Sequence, residues 1–161
     1  MTNNITPHAP LLICIGNDYR GDDGVGLYIG RHAKIKGLNV QVIENSGDGI
    51  AMMDTWKERG TVILVDAVYS GHPAGTIFRF DALNSSFPEN MLPVSTHDVG
   101  IAECISLSDS LDLLPKKMIF YGIGGENFGQ GKHLSAVVRK AADAVVGKIA
   151  EELANELLQT G

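Results

Sequence analysis

The run TVILVDAV, residues 61–68, is the feature that most restricts how this chain can fold. It is almost entirely β-branched or aliphatic up to Asp66, and continuous apolar runs of this kind are typical of strands that are buried on both faces. Helices cover both faces of such strands in α/β proteins. The run therefore indicates the central strand of an α/β fold.

The rest of the chain alternates between strand-like and helix-like patterns. Strands are predicted at 11–15, 39–45, 75–82 and 116–124, and helices at 24–36, 49–60, 96–111 and along 134–157. The connection 67–74 is too short to hold a crossover helix, so the strand at 75–82 is expected to be antiparallel. We therefore expect one domain, 1–161, forming a three-layer αβα sandwich around an open five-stranded sheet that is mostly parallel, with one antiparallel strand. Residues 1–8 are polar and are expected to be disordered.

Composition limits the partners and the location. The net charge of −6 argues against binding to nucleic acid or to anionic membrane surfaces. No charged-then-apolar leader and no run of 18 apolar residues is present, so we expect a protein that is neither exported nor membrane-spanning. Cys14 and Cys104 stand alone in apolar runs, which predicts buried, unpaired thiols in a reducing, cytoplasmic compartment.

The stretch GNDYRGDDGVG, Gly16 to Gly26, follows the first predicted strand, where α/β proteins bind ligands. A phosphate loop would have Lys and Ser/Thr where this chain has Asp22 and Asp23, and the dinucleotide fingerprint is absent. Two carboxylates repel phosphate and attract a cation. One of the pair is expected to cap the following helix, and the other is a candidate for the site.

Two more candidates follow other predicted elements. Asp66 ends the aliphatic part of a buried strand, either as a site residue or as a turn residue that accepts backbone hydrogen bonds. His97 lies at a predicted helix start, which would keep its imidazole neutral and able to bind metal, although a lone histidine is more often a surface residue. Asp23, Asp66 and His97 together suit a divalent cation such as zinc or nickel, with one position left open.

The chain resembles the hydrogenase maturation endopeptidases. The resemblance rests on GNDYRGDDGVG, VDAVYSGHPAGTIFRF, STHDVGI and, more loosely, GIGGENFGQGKHLSAVV, which occur in the order that the family has them. It implies that Asp23, Asp66 and His97 match the family's metal-contacting and catalytic residues. Many members have Glu-Pro in the last block, where this chain has Gly124, Gly125 and Glu126. Glu126 is either a contributor to substrate binding or a solvated loop residue, and we expect the second.

The resemblance also implies a partner and a reaction. Family members remove a short C-terminal peptide from the large-subunit precursor of a nickel–iron hydrogenase after nickel insertion. The nickel is carried by the substrate and marks it for cleavage, so no tightly bound cofactor is expected, and the free enzyme is expected to be a monomer. Either the nickel polarises the scissile carbonyl or a carboxylate activates water. Two alternatives are a non-catalytic nickel-binding assembly protein and a flavodoxin-like small-molecule binder.

Overall fold

A computed structural model describes residues 9–88, 91–94 and 100–159 of the chain. The elements are, in chain order, β1 Leu11–Ile15, a 3-10 turn Gly21–Gly24, α1 Val25–Ile35, β2 Gln41–Asn45, α2 Gly49–Trp56, β3 Thr61–Tyr69, β4 Ile77–Asp81, β5 Leu92–Pro93, α3 Ile101–Ser110, β6 Lys117–Gly124 and α4 Ala136–Gln159. The expected disorder of 1–8 lies outside the described residues and stays a prediction.

The main sheet has the strand order β2-β1-β3-β6-β4. Its strands pair in parallel, except that β4 is antiparallel to β6. The mixed five-stranded sheet and its antiparallel strand are confirmed, and the short connection after β3 explains the reversed direction. A sixth strand, the two-residue β5, pairs with the end of β3 and was not predicted, because two residues are too few to show a periodicity.

Helices cover both faces of the sheet, which confirms the three-layer arrangement. One face of β3, with Ile63, Val65 and Ala67, packs in a core that contains side chains from α1 and α4. The other face, with Leu64 and Val68, packs in a core with side chains from α2 and α3. Successive side chains of a strand point to opposite faces, so a strand between two helical layers has to be apolar throughout, as β3 nearly is.

Helix boundaries differ from the predicted ones, most clearly at the end of α2. α2 ends at Trp56 rather than near residue 60, and Glu58 then adopts a left-handed conformation with a φ of 62°. α3 begins at Ile101, directly after Gly100, whose backbone is extended, and the predicted start at 96 lies outside the described residues. In the described part of the chain, no helix is both long and apolar enough to cross a membrane.

The two cysteines are buried and form no disulfide, as predicted. Cys14 lies in β1 and Cys104 in α3, and both side chains are fully shielded from solvent. Burial raises the pKa of both thiols. Neither side chain therefore has the properties of a reactive thiolate.

Candidate functional site

Residues 16–24, which we call the acidic turn, lie against the carboxyl ends of the two central strands. β1 and β3 run in parallel with Cys14 opposite Val65, so the chain leaves β1 beside Asp66. The 3-10 turn that follows contacts β3. The close contact between this segment and the sheet requires glycine at two positions. A Cβ on Gly16 would lie 2.2 Å from Asp23 O, and a Cβ on Gly26 would lie 2.4 Å from Ile15 O. These glycines allow the turn to pack directly onto the sheet.

Asp23 is buried in this turn, with 1% of its surface exposed. Its carboxylate Oδ2 lies 3.6 Å from Nη1 of Arg20 and forms an ion pair with this residue, three positions earlier in the chain. Its backbone carbonyl accepts a hydrogen bond from Asn17 N at 3.2 Å. The turn therefore fixes the backbone of Asp23, and the side chain is buried.

Asp66 is fully buried within β3. It was expected at the strand end, but β3 continues to Tyr69, because β6 and β5 continue to pair with it. The side chain shares its face of β3 with Leu64 and Val68, both of which belong to an apolar core. A carboxylate at such a position is costly to bury without a compensating interaction, so Asp66 stays a candidate for the site.

The expectation that one of the two adjacent aspartates caps the following helix is wrong for Asp22. Neither the 3-10 turn nor α1 has a side-chain cap hydrogen bond. Instead, Asp22 Oδ2 accepts hydrogen bonds from Glu126 N at 2.9 Å, Asn127 N at 3.0 Å and Ser135 Oγ at 2.8 Å, and Oδ1 accepts one from Ser135 N at 2.7 Å. The donors lie far along the chain, so no local pattern could have revealed them.

These hydrogen bonds determine the charge state of Asp22. Burial alone would raise the pKa of its carboxyl, but the hydrogen bonds from Glu126, Ser135 and Asn127 outweigh burial and hold the pKa below its usual value. Asp22 is therefore an ionised, fully hydrogen-bonded carboxylate. The sequence contained one hint of this role, a second aspartate beside Asp23 where capping needs only one.

His97, the third predicted site residue, lies outside the described residues. α3 begins at Ile101, so His97 precedes this helix in the chain. The grouping of Asp23 and Asp66 with His97 stays a prediction. In the ranges that the structure describes, no group of three or more histidine, cysteine, aspartate or glutamate side chains is arranged to hold a metal ion. Glu126 is exposed, as expected of a solvated loop residue.

The two buried carboxylates could bind a cation or act as a base. Two buried carboxylates, Asp23 and Asp66, come from elements that contact each other at the carboxyl end of the sheet. Carboxylate oxygens can contact a divalent cation or accept a proton from water. A nucleophilic thiolate is not part of this edge, since Cys14 lies inside β1.

Comparisons with known proteins show which family the chain is similar to. The model of the family "HycI: Hydrogenase maturation protease" matches residues 27–152. The curated "Hydrogenase expression/formation protein HupD" of Thiocapsa roseopersicina is 28% identical over 119 residues, in a match that covers 70% of this chain and 52% of HupD. The chain thus spans about half the length of the curated relative that it matches.

Solved structures show the same fold. The [NiFe] hydrogenase maturation protease HybD from Thermococcus kodakarensis superposes with a TM-score of 0.71 at 23% identity, covering 91% of this chain and 99% of HybD. The hydrogenase maturating endopeptidase HybD from E. coli gives a TM-score of 0.74 at 18% identity, with 92% and 93% of the two chains covered. At these identities the likeness establishes the fold.

Proposed function

Because the chain belongs to the hydrogenase maturation protease family, we propose that it is an endopeptidase that shortens the large-subunit precursor of a nickel–iron hydrogenase. The cleaved product is a short C-terminal peptide. The nickel arrives as part of the substrate, already bound to cysteine thiolates of the precursor, and serves as the recognition element. This assignment accounts for an acidic turn at a place where many α/β proteins bind phosphate.

The observation that carries the proposal is the burial of two carboxylates, Asp23 and Asp66, on a turn and a strand that contact each other. Carboxylate oxygens are suitable ligands for a divalent cation, and in this proposal the substrate's nickel is bound at this end of the sheet. In the proposed complex, Asp23, Asp66 and His97 contact the nickel from one side, and the precursor's thiolates hold it from the other.

The proposed chemistry is hydrolysis without an acyl-enzyme. A water oxygen adds to the scissile carbonyl carbon, the carbon–nitrogen bond breaks, and the leaving amine takes a proton. Either the substrate's nickel polarises the carbonyl, or one carboxylate accepts the proton of the water. The burial of Cys14 and the raised pKa of its thiol support a route that uses no cysteine nucleophile.

The test is incubation of the purified chain with nickel-loaded and nickel-free precursor, followed by mass spectrometry of the products. We expect cleavage of the nickel-loaded precursor alone. Asp23→Asn, Asp66→Asn and His97→Ala should each abolish cleavage, because each removes a proposed contact to the metal. Asp54→Asn is the matched control: it makes the same chemical change on α2, where the Asp54 side chain is 76% exposed. Cleavage that survives all three site substitutions would contradict the assignment.

The same experiment separates the alternatives. A non-catalytic assembly protein would bind the nickel-loaded precursor and leave its mass unchanged. A flavodoxin-like binder would purify with a flavin or nucleotide and show its absorbance. We expect the purified chain to be largely free of metal by elemental analysis. Stoichiometric zinc or nickel that survives chelation, together with cleavage of nickel-free precursor, would indicate an ordinary metalloprotease instead.

A further inference from the structure

The segment 125–135, which follows β6, connects the two elements that carry Asp23 and Asp66. We call this segment the bridging loop. At its start, Gly125 N donates to Val68 O at 3.4 Å, two residues beyond Asp66 on β3. The ring of Phe128 packs against the ring of Tyr69, with the ring centres 4.7 Å apart. One side of the bridging loop therefore contacts the end of β3.

The other side of the bridging loop is bonded to the acidic turn through the backbone. Gly21 N donates to Gly131 O at 2.8 Å, and Gly131 N donates to Tyr19 O at 3.0 Å. Asp22 N donates to Asn127 O at 2.8 Å. The loop thus lies between the turn that carries Asp23 and the strand that carries Asp66, and it is hydrogen-bonded to both.

The Asp22 carboxylate adds side-chain hydrogen bonds between the acidic turn and the bridging loop. Its four hydrogen bonds reach Glu126 and Asn127 near the start of the bridging loop and Ser135 at its end. One side chain of the acidic turn is therefore hydrogen-bonded to both ends of the bridging loop. The packing is close, since a Cβ on Gly125 would lie 3.0 Å from Asp22 Cβ. Hydrogen bonds to an ionised carboxylate are shorter and stronger than neutral ones, which suits a clamp of this kind.

We propose that Asp22 is a positioning residue: it holds the bridging loop against β3 and the acidic turn, and thereby fixes Asp23 relative to Asp66. The inference rests on the proposed function for its catalytic consequence. Asp22 touches neither nickel nor peptide in this scheme, and it acts through the two carboxylates that do. The separation between catalytic groups has to be held closely, because a displacement of about 1 Å can cost roughly 100-fold in rate.

The test uses Asp22→Asn, which preserves the shape of the side chain. In either orientation of the amide, its NH2 group faces at least one backbone N–H donor, of Ser135 or of Glu126 and Asn127. Amide hydrogen exchange measures the loop without any substrate. We expect the amides of Glu126, Asn127 and Ser135 to exchange at least about 10-fold faster, with those of β3 unchanged.

The catalytic readout is the split between kcat and KM for the nickel-loaded precursor. We expect kcat to fall roughly 10- to 100-fold with KM within about 3-fold of wild type, because the metal contacts remain present but are displaced. Ser135→Ala removes one of the four hydrogen bonds and should give an intermediate loss of kcat. All assays are made well below the melting temperature of every variant.

The matched control is Ser108→Ala. It removes a buried hydrogen bond from Trp56 Nε1 to Ser108 Oγ, of 3.0 Å, between α2 and α3, away from the bridging loop. It should lower the melting temperature and leave kcat unchanged. A wild-type chain that cleaves no precursor would contradict the proposed function. An active wild type would instead overturn the positioning role if Asp22→Asn kept a wild-type kcat, or if Ser108→Ala lost as much.

Discussion

Replacing Gly26 by alanine tests how closely α1 has to approach the sheet. A Cβ at this position would lie 2.4 Å from Ile15 O and 2.9 Å from Val65 O. Ordinary carbon–oxygen contacts are about 3.3 Å or longer, so α1 would have to move by roughly 1 Å. Both oxygens belong to backbone that is held in or next to the sheet and cannot swing away as a side chain could. The first turn of α1 begins two residues after Asp23, so Asp23 should move with it.

The expected size of the effect follows from two opposing terms. Overpacking costs roughly 1–3 kcal/mol, and the rigid neighbours favour the upper end. Alanine gains about 1 kcal/mol over glycine inside a helix. The net loss of about 2 kcal/mol should lower the melting temperature by roughly 4–8 °C for a chain of this size.

Gly147→Ala provides the matched control. Gly147 lies in α4, and a Cβ there would meet no atom within 4 Å. The higher helix propensity of alanine is then the main effect on stability, and it should raise the melting temperature by roughly 2–4 °C. Thermal unfolding followed by circular dichroism measures both variants, and a processing assay should show a loss only for Gly26→Ala. A Gly26→Ala protein as stable as Gly147→Ala would refute the close-approach argument.

Two further predictions follow from buried side chains. Cys14→Ala and Cys104→Ala should both leave processing intact. Because both cysteines are fully buried, a thiol reagent should modify neither of them in the native wild-type chain and both after unfolding. Loss of cleavage in a folded Cys14→Ala protein would indicate a cysteine protease. Burial and the nearby Glu152 raise the pKa of Tyr121 to about 12, so folding favours the neutral form of its hydroxyl group. The resulting contribution of Tyr121 to stability is complete below about pH 10 and should be lost as the pH rises towards 12. Tyr121→Phe should show a shallower fall of stability over that range in denaturant titrations, and an unchanged slope would contradict the stated pKa.

Much of the fold was predictable because its determinants are local in sequence. The apolar run at 61–68 indicates a buried strand by itself, and the length of the connection after it fixes the direction of β4. The glycines of the first helix are also visible in the sequence, and the structure shows that α1 packs closely there, since a Cβ on Gly30 would lie 2.5 Å from Cys14 Sγ. Each of these inferences uses residues within one or two neighbouring elements.

The role of Asp22 could not be predicted in the same way. Its hydrogen-bond donors are 104 to 113 positions away in the chain, and two of the three are backbone amides alone, which any residue type supplies. A helix cap, by contrast, uses donors within the next turn, so the sequence favoured that local explanation. The position of β5 was missed for a related reason, because its pairing with β3 depends on tertiary contact and not on a pattern of its own.

The two adjacent aspartates therefore have different surroundings, and this difference bears on which of them meets the metal. Both oxygens of Asp22 already accept hydrogen bonds, three on Oδ2 and one on Oδ1, and a cation bound there would have to displace donors that hold the bridging loop. Displacing them would release both ends of the bridging loop from Asp22. Asp23 is consequently the residue of the pair that we propose contacts the nickel. Asp23→Asn should abolish cleavage and leave hydrogen exchange in the bridging loop unchanged, whereas Asp22→Asn should accelerate that exchange; faster exchange in both variants would show that the two side chains do not act separately.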